Sequence, residues 1–283
     1  MRILTTYHPE HLIFNGVVAA LTAIEKDLIS WLTNQKPAFD AFDERRPELF
    51  ICLASDITPE LTLPLQQYQT PTIVFDSSYR NISGINVKMI CPGELSVHNP
   101  SSEAITHSIG PAANVAQFNS GKYNEKYACD VLYVSNTHLN STHSTMIGKL
   151  QNKSYTTRVC GPIKTNLTNY VGNCSIKTLT DMMASSKIVI DVDRNILFDA
   201  AFNDTFCLTN VQNDFFASYS SEDEFFDQIK HFLASANHRK AYIKKAKEIA
   251  KNHTYFHRVY TMCDLLNLSE LADKSMKVLD QIQ

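Results

Sequence analysis

Two segments of the chain combine residue types that can bind a phosphorylated ligand. The first, residues 185–210 (SSKIVIDVDRNILFDAAFNDTFCLTN), has the pattern of a buried strand that ends in charged side chains and is followed by the start of a helix. The second is HTYFHR at residues 253–258. Helix N-termini offer N–H groups to anions, and open α/β sheets bind ligands at the carboxyl ends of their strands. The pattern therefore predicts a phosphate site in the second half of the chain.

An arginine and the first amides of a helix are the predicted phosphate ligands. Arg194 can hold two phosphate oxygens at once, and the N–H groups of residues 197–200 open the helix that follows it. Ser135 and Asn136 come directly after the first strand of this half, so they would face the same phosphates. A surface ion pair of Arg194 with a neighbouring aspartate, and ordinary turn chemistry at the other two positions, are the open alternatives.

Gly161 and Pro162 follow the second strand of this half, TTRVC. A glycine lets a flat ring approach the backbone closely, so the pair is predicted to contact a nucleobase. A plain turn at this position is the alternative.

A metal site is a competing interpretation of the same region. Asp191 and Asp193 form a D-x-D at a strand end, an arrangement that can hold Mg²⁺ or Mn²⁺ on a diphosphate. We favour a metal-free site, because Arg194 can neutralise phosphate itself. His253 and His257 stand four apart on a helical pattern, but no third ligand follows at a useful spacing. No cofactor is therefore predicted.

Candidates for acid–base chemistry lie in the first half. Asp76 closes the strand pattern TIVF, and His8 follows the first strand; both are predicted catalytic residues because a base must sit at a strand end to reach a substrate. Glu10 and His11 lie in the same loop as His8 and are predicted to bind the acceptor. A turn or helix cap at Asp76 and a solvated loop at the other three are the alternatives.

The elements that must position these residues alternate between strand and helix. Apolar strand patterns are RILTTY, LFICLAS, TPTIVF and NVKMIC in the first half, and CDVLYV, TTRVC, SSKIVI and TFCLT in the second. Alternation with helical patterns predicts parallel sheets of the α/β class. A Gly-, Ser- and Asn-rich stretch near 119–126 predicts a hinge, which divides the chain into domains 1–120 and 127–283, the latter with a helical tail.

Composition excludes some classes of function. With 283 residues, 26 basic and 29 acidic side chains, the net charge of −3 gives no global attraction to nucleic acid or anionic lipid. The local run HRKAYIKKAKEIAK at 238–251 is expected to be a solvated helix face, with nucleic-acid contact as the alternative. The chain opens on a strand pattern and has no apolar run of about twenty residues. We expect a cytoplasmic protein without a membrane partner, in the host cytoplasm if viral.

The motifs of the second half resemble those of the CgeB-like glycosyltransferases, within the broad GT-B group. That group has a strand beginning K-I, an arginine, a Phe-acid-Ala helix start, a Thr-Phe-x-Leu-Thr strand and an H-T-Y-x-H-R helix. The matching positions are 187–190, 194, 198–201, 205–209 and 253–258. The resemblance covers about the last 150 residues, and the first half matches only in general layout.

The resemblance implies two facing Rossmann-like domains with a cleft, and a nucleoside-diphosphate sugar bound by the second domain. It places Phe198 and Asp199 among the donor-binding residues. Asp199 stands where the group usually has Glu, so its carboxylate would reach a ribose with one methylene less. Asn203 stands where the group has Gly, and Asn tolerates the left-handed backbone that such a Gly would adopt.

The predicted function is therefore transfer of a sugar from a nucleoside-diphosphate sugar to an acceptor hydroxyl. Some phage enzymes of similar build glycosylate a hydroxymethylated base in DNA, which requires the base to leave its stack. The alternatives are transfer to a glycan or small molecule, a nucleotide-sugar epimerase, and a non-catalytic two-lobed binding protein.

Overall fold

The chain forms two compact units, Met1–Gly110 with Phe256–Gln283, and Pro111–Tyr255. The structure is a computed structural model, and it describes residues 1–8, 11–32, 35–75, 84–91, 104–118, 121–134, 141–153, 155–161, 167, 169–191, 196–213 and 215–282. No described helix combines the length and the apolar composition needed to span a bilayer.

The first unit contains a six-stranded sheet in which every described pairing is parallel. Its strands are β1 Ile3–Thr6, β2 Leu28–Trp31, β3 Leu49–Leu53, β4 Thr72–Phe75, β5 Val87–Cys91 and β6 Ile105–Thr106, in the order β2-β1-β3-β4-β5-β6. The connecting helices are α1 Leu12–Ile24, α2 Ala38–Arg45 and α3 Pro59–Tyr68. Thr58 caps α3 through its hydroxyl, and Pro59 occupies the first turn, where its missing N–H costs nothing.

The succession of strands in this sheet reverses next to β1. The chain passes from β1 to β2 on one side, and then crosses to β3 on the other side of β1. At such a reversal the connections leave the two strand ends in opposite directions, which opens a crevice at their carboxyl ends. The end of β1 and the end of β3 are therefore the place in this unit where a ligand is best accommodated.

The second unit repeats this plan with a five-stranded parallel sheet. Its strands are β7 Cys129–Val134, β8 Thr157–Cys160, β9 Ser186–Asp191, β10 Cys207–Thr209 and β11 Ala217–Ser218, in the order β11-β10-β9-β7-β8. Its helices are α4 Ser141–Asn152, α5 Ile176–Ala184, α6 Leu197–Phe202, α7 Glu222–Ala234 and α8 Ala236–Lys251. Here the reversal falls between β7 and β9, and the register aligns Val134 with Asp191 at their carboxyl ends.

Both faces of the second sheet are buried, which explains why its strands are apolar throughout. Leu132 and Val189 point into a core shared with α5, α6 and α8. The alternate residues Tyr133 and Ile190 point into the opposite core, shared with α4 and α7. Continuous apolar runs are typical of parallel strands covered by helices on two sides, so the α/β prediction rests on a real feature of the core.

The two units divide the chain differently from the predicted boundaries. The last helices, α9 Tyr255–Leu265 and α10 Ser269–Ile282, return to the first unit from Phe256 onward. There Lys274 Nζ lies 3.0 Å from the Glu25 carboxylate, and the Ser275 hydroxyl donates to the Phe256 carbonyl at 2.7 Å. An amphipathic pattern shows that a helix has a buried face, but it does not show which sheet that face covers.

The segment predicted as a hinge is bonded to the second unit. The N–H groups of Gly121, Lys122 and Asn124 donate to side chains of Asn203, Asp181 and Ser185, at 3.1, 2.9 and 2.8 Å. A polar segment that predicts flexibility in isolation thus donates hydrogen bonds through its backbone, because residues at helix ends of this unit present acceptors to it. The first unit ends earlier, at Gly110.

Asn203 does not adopt the left-handed backbone that the sequence comparison suggested. Its φ is −89° at the end of α6, and the left-handed residue is the next one, Asp204, with φ of 54°. Its side chain accepts from Gly121 N–H at 3.1 Å and donates to the carbonyls of Phe118 and Asp199 at 2.9 and 2.8 Å. Asn203 therefore holds the 118–121 segment against α6, a role that glycine cannot perform.

We predict that Asn203→Ala lowers the free energy of unfolding by about 1–3 kcal/mol, because three hydrogen bonds are lost in a half-buried position. Urea denaturation followed by circular dichroism measures the change. Asn237→Ala, at an exposed position on α8, is the matched control and should leave stability within error. Equal stability of the two variants would show that the Asn203 bonds contribute nothing.

Candidate functional site

A histidine and an aspartate meet at the strand reversal of the first unit. His8 follows β1, and Asp56 closes the 3₁₀ turn Ala54–Asp56 that follows β3. His8 Nε2 lies 2.9 Å from both carboxylate oxygens of Asp56. Asp56 Oδ2 also accepts the Leu53 N–H at 2.9 Å, so the carboxylate joins the ends of β1 and β3. The His8 side chain keeps 21% of its surface exposed and that of Asp56 keeps 9%, so a ligand can still reach the imidazole.

The His8 ring is also positioned by an aromatic side chain beneath it. Phe14, 1% exposed in α1, meets the His8 ring edge-to-face with centroids 5.6 Å apart, and meets Phe75 at the end of β4 in the same way at 5.4 Å. His11 caps α1, because its Nδ1 accepts the Phe14 N–H at 3.2 Å. One nitrogen of the predicted acceptor ligand is therefore engaged in the fold. Asp76 and Glu10, which were predicted beside these residues, lie outside the described part of the chain.

A buried carboxylate lies at the strand reversal of the second unit. Asp191 ends β9 with 2% of its surface exposed, and its Oδ2 accepts the Ile196 N–H at 3.3 Å. The remaining predicted ligands of this edge fall outside the described residues; they are Ser135, Asn136, Pro162 and Arg194. Asp193 of the D-x-D lies outside them as well. Within the described ranges, no group of three or more His, Cys, Asp or Glu side chains could hold a metal ion.

Gly161 is fixed by its own loop at the end of β8. Its φ of 138° lies in the region that favours glycine, so a side chain here would strain the backbone. Its N–H donates to the Gly172 carbonyl at 3.1 Å, and its carbonyl accepts the Tyr170 hydroxyl at 2.8 Å. The contact of Gly161 with a nucleobase stays a prediction, and the rigid backbone is compatible with one.

Asp199 is buried in the first turn of α6. It is 4% exposed, and its Oδ1 accepts the Asn114 backbone N–H at 2.7 Å. Burial raises the pKa of Asp199, the Asn114 hydrogen bond opposes this shift and the charge of Asp191 adds to it, and together they bring the pKa to about 8. The side chain thus anchors the segment that enters the second unit. Its predicted contact with a ribose remains a prediction.

The separate motifs of the second half come together around this segment. Phe198 stacks on the His253 ring with centroids 5.4 Å apart. The His253 carbonyl accepts the Ala113 N–H at 2.7 Å, and the Ala113 carbonyl accepts the Tyr255 N–H at 3.0 Å. The start of HTYFHR therefore pairs with the stretch that Asp199 holds, which gives the presence of both motifs a structural explanation.

The end of HTYFHR belongs to the first unit, since the division falls between Tyr255 and Phe256. Arg258 Nε donates to the Gly110 carbonyl at 3.3 Å. Burial lowers the pKa of His107, and the Arg258 charge lowers it further. The chain changes unit after Gly110 and after Tyr255. The start of the motif makes hydrogen bonds in the second unit, and its end makes one in the first unit.

Sequence reasoning missed Asp56 and Asn114. Asp56 stands three positions after the end of the apolar run LFICL, so the same rule that selected Asp76 at a strand end could have selected it. Asn114 acts through its backbone N–H, and no side-chain pattern indicates such a contact.

Comparison with known proteins gives a family match in the second half. Residues 142–264, from α4 to α9, match the family model described as "Glycosyl transferase-like". No curated protein sequence matches the chain. The prediction of a glycosyltransferase is confirmed at the level of this domain.

Solved structures with the same fold extend over nearly the whole chain. HepE of Anabaena, in complex with UDP and glucose, has a TM-score of 0.57 at 8% identity, with 99% of this chain and 100% of that chain covered. A DNA modifying enzyme, beta-glucosyltransferase, gives 0.54 at 10% identity, with 100% and 99% covered. A UDP-N-acetylglucosamine 2-epimerase from Listeria monocytogenes, described as putative, gives 0.53 at 7% identity, with 93% and 96% covered. These likenesses confirm the predicted α/β fold with two Rossmann-like sheets.

We predict that Asp199→Asn changes how stability depends on pH. The pKa of Asp199 is raised from its ordinary 3.8 to about 8 on folding, so the folded chain binds a proton that the unfolded chain releases. Stability therefore falls as the pH rises between these values, and the variant lacks this loss. The melting temperature of the variant should exceed that of the native protein by more at about pH 9 than at about pH 5.

Asp227→Asn, at an exposed position of α7, is the control and should show no such trend. A melting-temperature difference between Asp199→Asn and native protein that stays constant with pH would contradict a neutral buried Asp199.

Proposed function

Because residues 142–264 match a glycosyl transferase-like family model, we propose that the protein transfers a sugar from a nucleoside-diphosphate sugar to an acceptor hydroxyl. The family match is the observation that carries this proposal. Support comes from the second unit, where the strand reversal between β7 and β9 provides the kind of crevice in which α/β sheets bind nucleotides. Proteins of the same fold include complexes with UDP and with UDP-glucose.

The donor is proposed to bind at the carboxyl ends of β7, β8 and β9. The buried Asp191 lies at this edge, so a diphosphate that arrives here needs a compensating positive charge. Arg194 follows it by three positions in the chain and can supply that charge. The other proposed donor ligands are Ser135, Asn136, Gly161, Pro162, Phe198 and Asp199.

We predict that isothermal titration with UDP-glucose, UDP-N-acetylglucosamine and GDP-mannose detects binding of at least one of them. Arg194→Ala should weaken that binding by about 10-fold or more, because hydrogen bonds to a charged phosphate are worth about 1.5–3 kcal/mol. Arg45→Ala, at an exposed position of α2 in the first unit, is the matched control and should bind as the native protein does. Failure to bind any sugar nucleotide would overturn the proposed function.

The acceptor is proposed to be a hydroxymethylated base in DNA, and the protein a phage enzyme that acts in the host cytoplasm. Its fold matches a DNA modifying beta-glucosyltransferase along the whole chain. The chain also carries cationic side chains on α8 that could meet phosphates. Lys240 and Lys244 are exposed there, and neither pairs with an acidic side chain within the described ranges, whereas Lys247 lies 2.8 Å from Asp204.

We predict that mass spectrometry finds a hexose on duplex DNA that contains hydroxymethylcytosine, and on neither the same duplex with cytosine nor an oligosaccharide. Charge reversal at Lys240 and Lys244 together should weaken DNA binding and reduce its salt dependence, because phosphate contacts set the salt slope. Donor binding should not change. A hexose on the oligosaccharide alone would favour a glycan acceptor, and free nucleotide without any glycosylated acceptor would favour the epimerase.

A further inference from the structure

We propose that Cys174 is a site of oxidative modification at which it forms a disulfide with Cys160, and that this bond weakens the binding of the nucleotide sugar. The second part of the inference rests on the proposed glycosyl transfer, whereas the first part does not. The two cysteines lie in the second unit, beside the glycine at the end of β8 that is proposed to contact the nucleobase. Neither sulfur has a role in the proposed transfer.

Cys174 differs from the other cysteines of the chain in its exposure. All seven cysteines lie in the described part of the chain as free thiols, and six of them are buried. Cys174 is partly exposed, so a small oxidant can reach its sulfur. Because oxidation of a thiol requires access to the sulfur, the modification is expected at this cysteine first.

Cys160 is placed to act as the second thiol. It ends β8 with 2% of its surface exposed, and it belongs to the core cluster against which Cys174 packs. The Cys160 thiol donates a hydrogen bond to the Cys174 sulfur. This bond lowers the pKa of Cys174 and raises the pKa of Cys160, which burial raises further. The reactive thiolate therefore forms at the more exposed sulfur, with a second thiol in contact with it.

The Cys174 side chain is held between a carbonyl group and a helix. Its sulfur lies 3.7 Å from the Gly172 carbonyl oxygen and 3.8 Å from Met182 Sδ on α5. The next residue, Ser175, caps α5 by accepting the Thr178 N–H at 3.2 Å. Cys174 thus comes two residues before the first residue of α5, and the N-terminus of a helix favours a thiolate over a thiol.

One carbonyl group connects the two cysteines to the loop of Gly161. The Gly172 carbonyl, which the Cys174 sulfur contacts, also accepts the Gly161 N–H at 3.1 Å. Cys160 directly precedes Gly161 in the chain. A disulfide holds its sulfurs about 2.0 Å apart, closer than two hydrogen-bonded thiols, so its formation must shift this backbone. The surface that Gly161 offers to a nucleobase therefore changes when the bond forms.

The oxidation balances with hydrogen peroxide as the oxidant. The Cys174 thiolate attacks one peroxide oxygen and the O–O bond breaks, which gives a sulfenic acid and a hydroxide that takes up the thiol proton as water. The Cys160 sulfur then attacks the Cys174 sulfur. The S–S bond forms, the S–O bond breaks, and the oxygen leaves as a second water with the Cys160 proton. Two electrons pass from the thiols to the peroxide, and a thiol reductant reverses the change.

The first experiment maps the disulfide. The native protein is reduced, freed of reductant, treated with hydrogen peroxide at neutral pH, blocked with N-ethylmaleimide and digested with trypsin. Trypsin cleaves after residues 158, 164 and 177, which places the two cysteines in separate peptides, 159–164 and 165–177. Mass spectrometry therefore detects the disulfide as a linked pair of peptides that dithiothreitol separates.

We expect the linked pair in the native protein and in the control Cys263→Ala, which removes an equally buried cysteine of the first unit. Cys174→Ser and Cys160→Ala should give no linked pair. In titrations with UDP-glucose, the oxidised native protein should bind about 5-fold or more weakly than the reduced protein, at the lower end of the coupling that is typical between two sites. Dithiothreitol should restore the affinity, and peroxide should leave the affinity of Cys174→Ser unchanged.

Thermodynamic linkage gives a second readout of the same coupling. If the disulfide weakens donor binding, bound UDP-glucose must oppose disulfide formation by the same factor. In a glutathione redox buffer, saturating UDP-glucose should therefore shift the cysteine pair toward the dithiol by that ratio. Weaker binding by the oxidised protein without this shift would show that the oxidation responsible lies elsewhere, and it would contradict the inference.

The two parts of the inference fail separately. The absence of the linked pair after peroxide treatment, or a disulfide between other cysteines, would overturn the modification site. Equal affinity of the oxidised and reduced protein for UDP-glucose would overturn the effect on donor binding. A reduced native protein that binds no sugar nucleotide would instead remove the proposed function, and the peptide map would still decide whether Cys174 is a modification site.

Discussion

A single topological constraint positions the candidate site in both units. In each sheet the second strand pairs on one side of the first, and the third pairs on the other side. Crossover connections leave the two strand ends at such a reversal in opposite directions, which makes room there for polar side chains. In the first unit this edge holds His8 and Asp56, and in the second it holds Asp191. The fold therefore supplies two crevices of the same kind but different chemistry.

The two sheet edges differ in the ionisable side chains that they carry. The first has an imidazole against a carboxylate, a combination suited to accepting and releasing a proton. The second has the buried acids Asp191 and Asp199, and Asp199 is kept largely neutral at pH 7 by its burial. A neutral Asp199 adds no negative charge to this edge of the sheet.

The motifs of the second half serve the fold as well as the proposed chemistry. Phe198 and Asp199 hold His253 and Asn114, respectively, and the 113–114 stretch pairs with residues 253–255. These contacts hold the two stretches of chain with which the second unit begins and ends. A change at Asp199 would consequently affect stability, so a loss of activity alone cannot assign this residue a role in donor binding.

The sequence predicted the class of fold because burial on both faces leaves a direct mark on the strands, as in residues 129–134 and 186–191. The same apolar patterns indicated where strands end, and this selected His8. The domain boundary was not predicted, since the amphipathic pattern of residues 256–283 carries no information on the sheet it covers. The expectation for Asn203 was wrong because it rested on backbone preference, whereas three long-range or local hydrogen bonds decide its conformation. The role of Asn114 could not be predicted, since its backbone N–H makes the contact with Asp199.

The most direct test of the account is a crystal structure of the protein with UDP-glucose. The account predicts the diphosphate at the carboxyl ends of β7 and β9, with Arg194 and the first amides of α6 within hydrogen-bond distance of its oxygens. A nucleotide bound elsewhere, or an Arg194 side chain directed away from it, would contradict the account.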